Sequence, residues 1–144
     1  MDKRVLYQNL AHYKVIPVIT IDRVENALPL AYALISGGLP LLEITFRTEV
    51  AAEVIKLLKK ERPDMLIAAG TILTIDQLRK AVDSGAAFGV APGYNKYIVS
   101  EANHLGFPFS PGIMTPADTE AAIYCSIRVM KYFPAEAAGD TWLA

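Results

Sequence analysis

The chain has 144 residues, 53% of them hydrophobic and 20% charged, and 14 Lys and Arg against 15 Asp and Glu leave a net charge of -1. That describes one soluble globular domain over residues 1–144 with a sizeable core, and it excludes wholesale disorder, fibrous repeats and the basic footprint of a nucleic-acid binder. The single cysteine, Cys125, cannot close a disulfide within the chain, and the charged opening Asp2-Lys3-Arg4 lacks an apolar leader core, so the cytoplasm is the expected compartment.

The chain opens with an amphipathic segment whose Val5, Leu6, Leu10 and Tyr13 are read as one face. Six apolar, β-rich runs follow as strands: Val15–Ile21, Leu39–Phe46, Met65–Ile72, Ala87–Pro92, Phe107–Gly112 and Val129–Phe133. Their starts lie roughly 20 to 26 residues apart, the length of a strand, a helix and two short loops. Ala27 to Leu42 carries no charge, but Pro29, Ser36, Gly37, Gly38 and Pro40 interrupt it and it is too short to span a bilayer, so no membrane partner is expected. Helix ends are marked by Gly37-Gly38, Gly85 and Gly106, and by Ser126 where a glycine is expected. Helix starts are marked by Thr74 with Gln77 and by Thr115 with Asp118, both spaced as capping boxes.

Strands apolar on both faces, alternating with helices, predict an α/β fold with a parallel sheet, either doubly wound or a (β/α)8 barrel. A glycine-rich dinucleotide turn would follow the first strand of a nucleotide-binding sheet; Asp22-Arg23-Val24 follows here, which disfavours that version.

Three polar interruptions of the strands mark candidate chemistry. Leu41, Glu43, Thr45 and Arg47 share one side of the second strand, either as a self-satisfying ion pair or as a site at the C-terminal end, where barrel enzymes work. Lys131, between Met130 and Tyr132, is either an edge lysine with its tip in water or a buried amine; burial favours the neutral form, which can attack a ketone to form a Schiff base. Thr71 ends the third strand. Ala91-Pro92-Gly93 and Ser110-Pro111-Gly112 read as turns ending strands four and five, leaving a pocket mouth clear of bulky side chains. His12 and His104 each lack a nearby second ligand, so no metal is expected, and Cys125 reads as a buried helix-end residue. No nucleophile elbow or phosphate-binding P-loop occurs.

Taken together, Val15-Ile16-Pro17-Val18-Ile19, Leu42 to Thr48 (LEITFRT), Ala69-Gly70-Thr71, Ala91-Pro92-Gly93, Pro111 to Pro116 (PGIMTP) and Lys131 to Glu136 (KYFPAE) resemble the 2-keto-3-deoxy-6-phosphogluconate (KDPG) / 4-hydroxy-2-oxoglutarate (KHG) aldolases. The resemblance implies a cofactor-free class I aldolase, a (β/α)8 homotrimer that cleaves a 2-keto-3-deoxy sugar-acid phosphate to pyruvate and glyceraldehyde 3-phosphate. By position it makes Lys131 the Schiff-base lysine and Glu43 the general acid/base. Arg47 and Thr71 would hold the pyruvyl carboxylate, and Pro92 and Phe133 would wall the pocket. The 6-phosphogalactonate-type aldolases share the strategy, but the wording around Arg47 and Phe133 is closer to the gluconate branch.

Members of that family run to roughly 200 residues or more, as a full barrel requires, whereas this sequence supplies about six βα units. The family's phosphate loops after strands seven and eight have no Gly-Gly counterpart here, and the tail Gly139–Ala144 resembles a piece of the strand-eight region joined after strand six. Six strands would leave exposed edges on strands one and six. The alternative expectation is therefore a non-catalytic remnant that binds 2-oxo acids or associates with a full-length homologue.

Overall fold

A computed structural model describes residues 3–138; the tail Gly139–Ala144, read above as a strand-eight fragment, lies outside the described residues. In chain order the elements are α1 (Lys3–Tyr13), β1 (Val18–Ile19), α2 (Ala27–Ser36, entered through a 3-10 turn at Val24–Asn26), β2 (Leu41–Thr45), α3 (Ala51–Glu61), β3 (Leu66–Gly70), α4 (Ile75–Asp83), β4 (Phe88–Val90), α5 (Lys96–His104), β5 (Phe109–Ser110), β6 (Gly112–Ile113), α6 (Pro116–Tyr124), β7 (Lys131–Tyr132) and α7 (Ala135–Ala138).

β1 to β5 form one parallel sheet in sequence order, and β6 pairs parallel with β7. β5 and β6 are two halves of one predicted strand, divided at Pro111. This corrects the reading of Ser110-Pro111-Gly112 as a strand-ending turn: the chain runs on through Ile113, changing partner from β4 to β7. Proline has no N–H to donate, but its carbonyl still accepts, here from Lys131 N at 3.0 Å. Gly112 permits the change, because a Cβ there would overlap the Pro92 carbonyl and lie 2.6 Å from Gly93 N.

Alternation along each strand sorts the side chains into two layers. Ile19, Leu42, Ile44, Ile67, Ala69 and Phe109 face outward into the main core, where they meet Ala31, Val54, Leu58, Leu78 and Val99 of the helices. The pairs Val18↔Glu43, Glu43↔Ala68 and Ala68↔Phe88 put these residues on the opposite, inner face. There Leu6 of α1 packs with Ala68, Phe88 and Val90, with Leu10 against them. Val5 is exposed, so it does not belong to the apolar face read from the sequence; a step of about 100° per residue carries it away from the Leu6, Leu10, Tyr13 stripe. Among the described residues β1 pairs only with β2 and β7 only with β6, and Val18 on β1 is 49% exposed.

The helix punctuation follows the sequence closely. Gly38, Gly85 and Gly106 have φ of 77°, 85° and 63°, the left-handed conformation that lets a helix stop, and Ser126 adopts the same conformation at 61°. Thr115 and Asp118 make a full capping box. Thr74 accepts from Gln77 N, but the reciprocal arm is displaced by one residue, with Leu73 N donating to Gln77 Oε1. Cys125 ends α6 as expected but is half-buried rather than buried, with Tyr94 Oη 3.2 Å from its sulfur.

Ser126 is exposed and carries a Cβ in a conformation that suits glycine. Ser126→Gly is therefore expected to stabilise the chain by about 1 kcal/mol, read as a higher denaturant midpoint at unchanged slope. An unchanged or lower midpoint would show that this residue carries no such strain.

Candidate active site

Glu43 is the middle residue of β2, whose five residues are all buried, and its side chain is 4% exposed. Lys131 opens β7, and its Nζ lies 3.6 Å from Glu43 Oε1. Between β2 and β7 stand four inter-strand steps, which in a flat sheet would separate the two residues by roughly 19 Å. A glutamate and a lysine side chain together cannot bridge that distance, so the parallel array is curled, with the inner face concave. The two groups meet across that concavity.

Lys131 is half-buried, its side chain 29% exposed, between the two alternatives of an edge lysine with its tip in water and a buried amine. The two residues of β7 leave it on a short edge strand, and the tip turns inward to the carboxylate. Its Nζ also sits 5.3 Å from the centre of the Phe133 ring, two residues along the same side of the chain. A cavity of about 260 Å³ opens beside the pair, walled by Val18, Phe88, Val90, Ser110, Val129 and Met130. A larger depression, about 490 Å³, lies at the opposite end of the strands beside Lys59, Asp64 and Pro108, and is lined by none of the candidate site residues.

Burial pushes the Glu43 carboxyl above its ordinary range; the charges of Lys131 and, more weakly, Arg47 pull it back without cancelling that effect. At 3.6 Å the contact to Lys131 is an ion pair longer than a hydrogen bond, and Oε1 has no hydrogen-bond partner among the described residues. A buried acceptor left open beside an amine is suited to accept a proton from a bound molecule.

The other predicted residues gather at the same C-terminal end of the strands with less direct contact. Arg47 stands beyond β2, exposed, with no hydrogen-bond or ion-pair partner among the described residues; it lines a separate hollow with Thr48, Gln77 and Lys80, and only its charge reaches Glu43. Thr71 follows β3 with φ of 57°, a conformation that is costly for a β-branched residue and breaks the two-residue alternation of the strand. Pro92 follows β4 and is half-buried, its backbone against Gly112. Phe133 follows β7. Lys131 thus meets both Glu43 and Phe133, while Arg47, Thr71 and Pro92 follow the C-terminal ends of β2, β3 and β4 without lining the cavity beside the pair.

Several supports were not visible in the sequence. Thr48 Oγ1 donates to Ile21 O at 2.7 Å, tying the loop that carries Arg47 to the β1 loop. Gln77 receives Leu73 N and donates to Phe46 O at 3.4 Å, linking that loop to the one carrying Thr71. Thr20 and Thr45 pair their hydroxyls at 2.9 Å, and Ser110 Oγ donates to Val129 O at 2.7 Å, holding β5 to the segment that enters β7. Apart from the bond between Leu73 and Gln77, each joins residues 19 or more apart, which no local pattern can signal. Among the described residues no group of three or more His, Cys, Asp or Glu side chains is placed to hold a metal ion.

Comparison with known proteins shows the family and the fold. Residues 6–143 match the family model for KDPG and KHG aldolase. The chain belongs to this family. It is 46% identical over 136 residues to the 2-dehydro-3-deoxy-phosphogluconate aldolase of Treponema pallidum, covering 94% of this chain and 65% of the relative. With the enzyme of the same name from Haemophilus influenzae it shares 47% identity over 134 residues, 93% of this chain and 63% of that one. The KDPG aldolase of Legionella pneumophila, whose crystal structure holds pyruvate as a covalent carbinolamine, superposes with a TM-score of 0.86 at 39% identity, over 89% of this chain and 63% of that chain. The fold is thus of the (β/α)8 barrel type, and the chain spans a little under two thirds of the length of these relatives.

Proposed function

We propose that this chain is a class I, Schiff-base aldolase, a metal-independent carbon–carbon lyase acting as one domain on KDPG to give pyruvate and glyceraldehyde 3-phosphate. KHG, which would give glyoxylate in place of the phosphorylated aldehyde, is the second substrate of the same site. The observation that carries the reading is the Lys131–Glu43 pair, 3.6 Å apart within a curled parallel sheet. Membership of the aldolase family and the covalent pyruvate in the Legionella pneumophila relative support it. By the same resemblance a homotrimer is the proposed assembly, and the cytoplasm, where a phosphorylated sugar acid is at hand, the proposed compartment.

In this mechanism the neutral amine of Lys131 attacks C2 of the 2-oxo acid, and loss of water gives the iminium. Glu43, directly or through a water, takes the proton of the C4 hydroxyl; the C3–C4 bond breaks, its electron pair moves into the iminium, and the aldehyde leaves. The protonated Glu43 then returns a proton to C3 of the enamine, and hydrolysis frees pyruvate and Lys131. A carboxyl whose pKa burial has raised suits this work, since it must hold a proton and release it near neutral pH. Arg47, free of any partner among the described residues, would neutralise the pyruvyl carboxylate beside Thr71, with Pro92 and Phe133 as the apolar wall.

The test is borohydride reduction in the presence of pyruvate, followed by intact and peptide mass analysis. An adduct confined to Lys131 is the expected result; an adduct on other lysines, or none on folded protein, would overturn the reading. Because the chain spans a little under two thirds of its relatives, a second reading stands beside it, a protein that binds 2-oxo acids without turnover. It predicts the adduct with no release of aldehyde from KDPG.

A further inference from the structure

Gly70 ends β3 opposite Thr45, and nothing in its backbone demands glycine: it is not among the glycines with positive φ. What demands it is the Glu43 side chain. A Cβ at residue 70 would overlap Glu43 Oε1 and lie 2.6 Å from both Cγ and Cδ. Glu43 is paired with Ala68, two residues before Gly70 on the same inner face. The glutamate therefore leans over β3 toward the C-terminal end of the strand, into the space the glycine leaves empty. Its Oε1, without a hydrogen-bond partner among the described residues, faces Lys131 from there. With a methyl group in that space the side chain would have to adopt another rotamer, because all five residues of β2 are buried and the strand cannot shift.

We infer that Gly70 is a positioning residue for the acid/base step: its missing side chain is the seat on which the Glu43 carboxylate rests beside Lys131. The inference rests on the aldolase reading above, and its test separates the two. Formation of the Lys131 imine needs the amine, whereas exchange of the methyl hydrogens of bound pyruvate with solvent needs the carboxylate. In exchange, the C3–H bond of the iminium breaks, its electron pair forms the enamine, the proton passes to Glu43, and a solvent proton returns.

Gly70→Ala in the full chain is expected to keep the borohydride-trapped pyruvate adduct while slowing methyl exchange in deuterated water by about 10- to 1,000-fold. The loss should vanish in a Glu43→Gln background, since there the carboxylate is already gone; a merely structural effect would add to it. The acidic limb of the exchange profile should also move to lower pH as the displaced carboxylate becomes better solvated. Exchange at the wild-type rate in Gly70→Ala, or additive losses, would overturn the inference, whereas a wild-type chain without adduct would overturn the aldolase reading instead. Should Gly70→Ala fail to fold, Glu43→Ala/Gly70→Ala should fold as cooperatively as Glu43→Ala alone, because the side chain that supplies the three nearest atoms has been removed. Failure of that double variant would equally overturn the inference.

Discussion

Lys131→Ala is expected to lose the reducible pyruvate adduct completely and to lower retro-aldol turnover by about 10,000-fold or more, the scale seen when a covalent nucleophile is removed. The effect is large because no other lysine whose side chain is described is placed to substitute. Lys131 is the amine placed 3.6 Å from the buried carboxylate, and Lys14, Lys56, Lys59, Lys60, Lys80 and Lys96 are all exposed. Lys131→Met, which keeps the apolar stem against Phe133, separates chemistry from packing: it should lose the adduct equally while retaining cooperative unfolding. An adduct that survives in Lys131→Ala, or turnover within tenfold of wild type, would sink the assignment.

The second large effect belongs to Glu43. Glu43→Gln keeps the size of the side chain and removes its ability to take a proton, so imine formation should persist while turnover falls by about 100- to 10,000-fold. The same substitution is expected to leave the fold at least as stable as wild type at neutral pH. The sign follows from linkage. The folded-state pKa of Glu43 is raised, so the unfolded chain loses this proton first, and stability falls as pH rises above about 4.3, the ordinary glutamate value, towards the folded value. The penalty is therefore in place at neutral pH and absent in acid, where both states are protonated. Chemical denaturation of Glu43→Gln and wild type should show the variant's advantage at pH 7 shrinking as the pH is lowered below the usual carboxylate range. A variant less stable than wild type at pH 7 would mean that the Lys131 ion pair outweighs the cost of burial. A buried carboxylate whose removal helps the fold and harms the reaction is the usual mark of a site kept for function.

Much of the architecture was legible because parallel βα units leave a strong local record. Burial on both faces makes β3 a continuous apolar run and β2 one broken only by Glu43 and Thr45, and the helix stops at Gly38, Gly85, Gly106 and Ser126 each take the left-handed conformation that their position requires. Strand limits were less legible. The reading of Val15–Ile21 shrank to the two residues of β1, and that of Phe107–Gly112 split at Pro111, because strand limits are set by which neighbour supplies a hydrogen bond rather than by hydropathy. Val5 went to the wrong face because a single turn of helix tolerates more than one apolar stripe.

The sequence by itself determined the α/β class, the βα order, and the polar residues Glu43, Thr45 and Lys131 within apolar strands; Thr71, read as the end of the third strand, stands just beyond it. All of that lies in side-chain type and in spacing along the chain. Only the tertiary structure decided that Glu43 and Lys131, 88 positions apart, come within 3.6 Å, that Gly70 makes room for the carboxylate, and that Arg47 is exposed in a separate hollow without an ion-pair partner among the described residues. The physical reason is the curl of the sheet. Each strand's inner face is written locally by alternation, but the distance across the concave face depends on the summed twist and stagger of every strand between, and no single segment carries that sum.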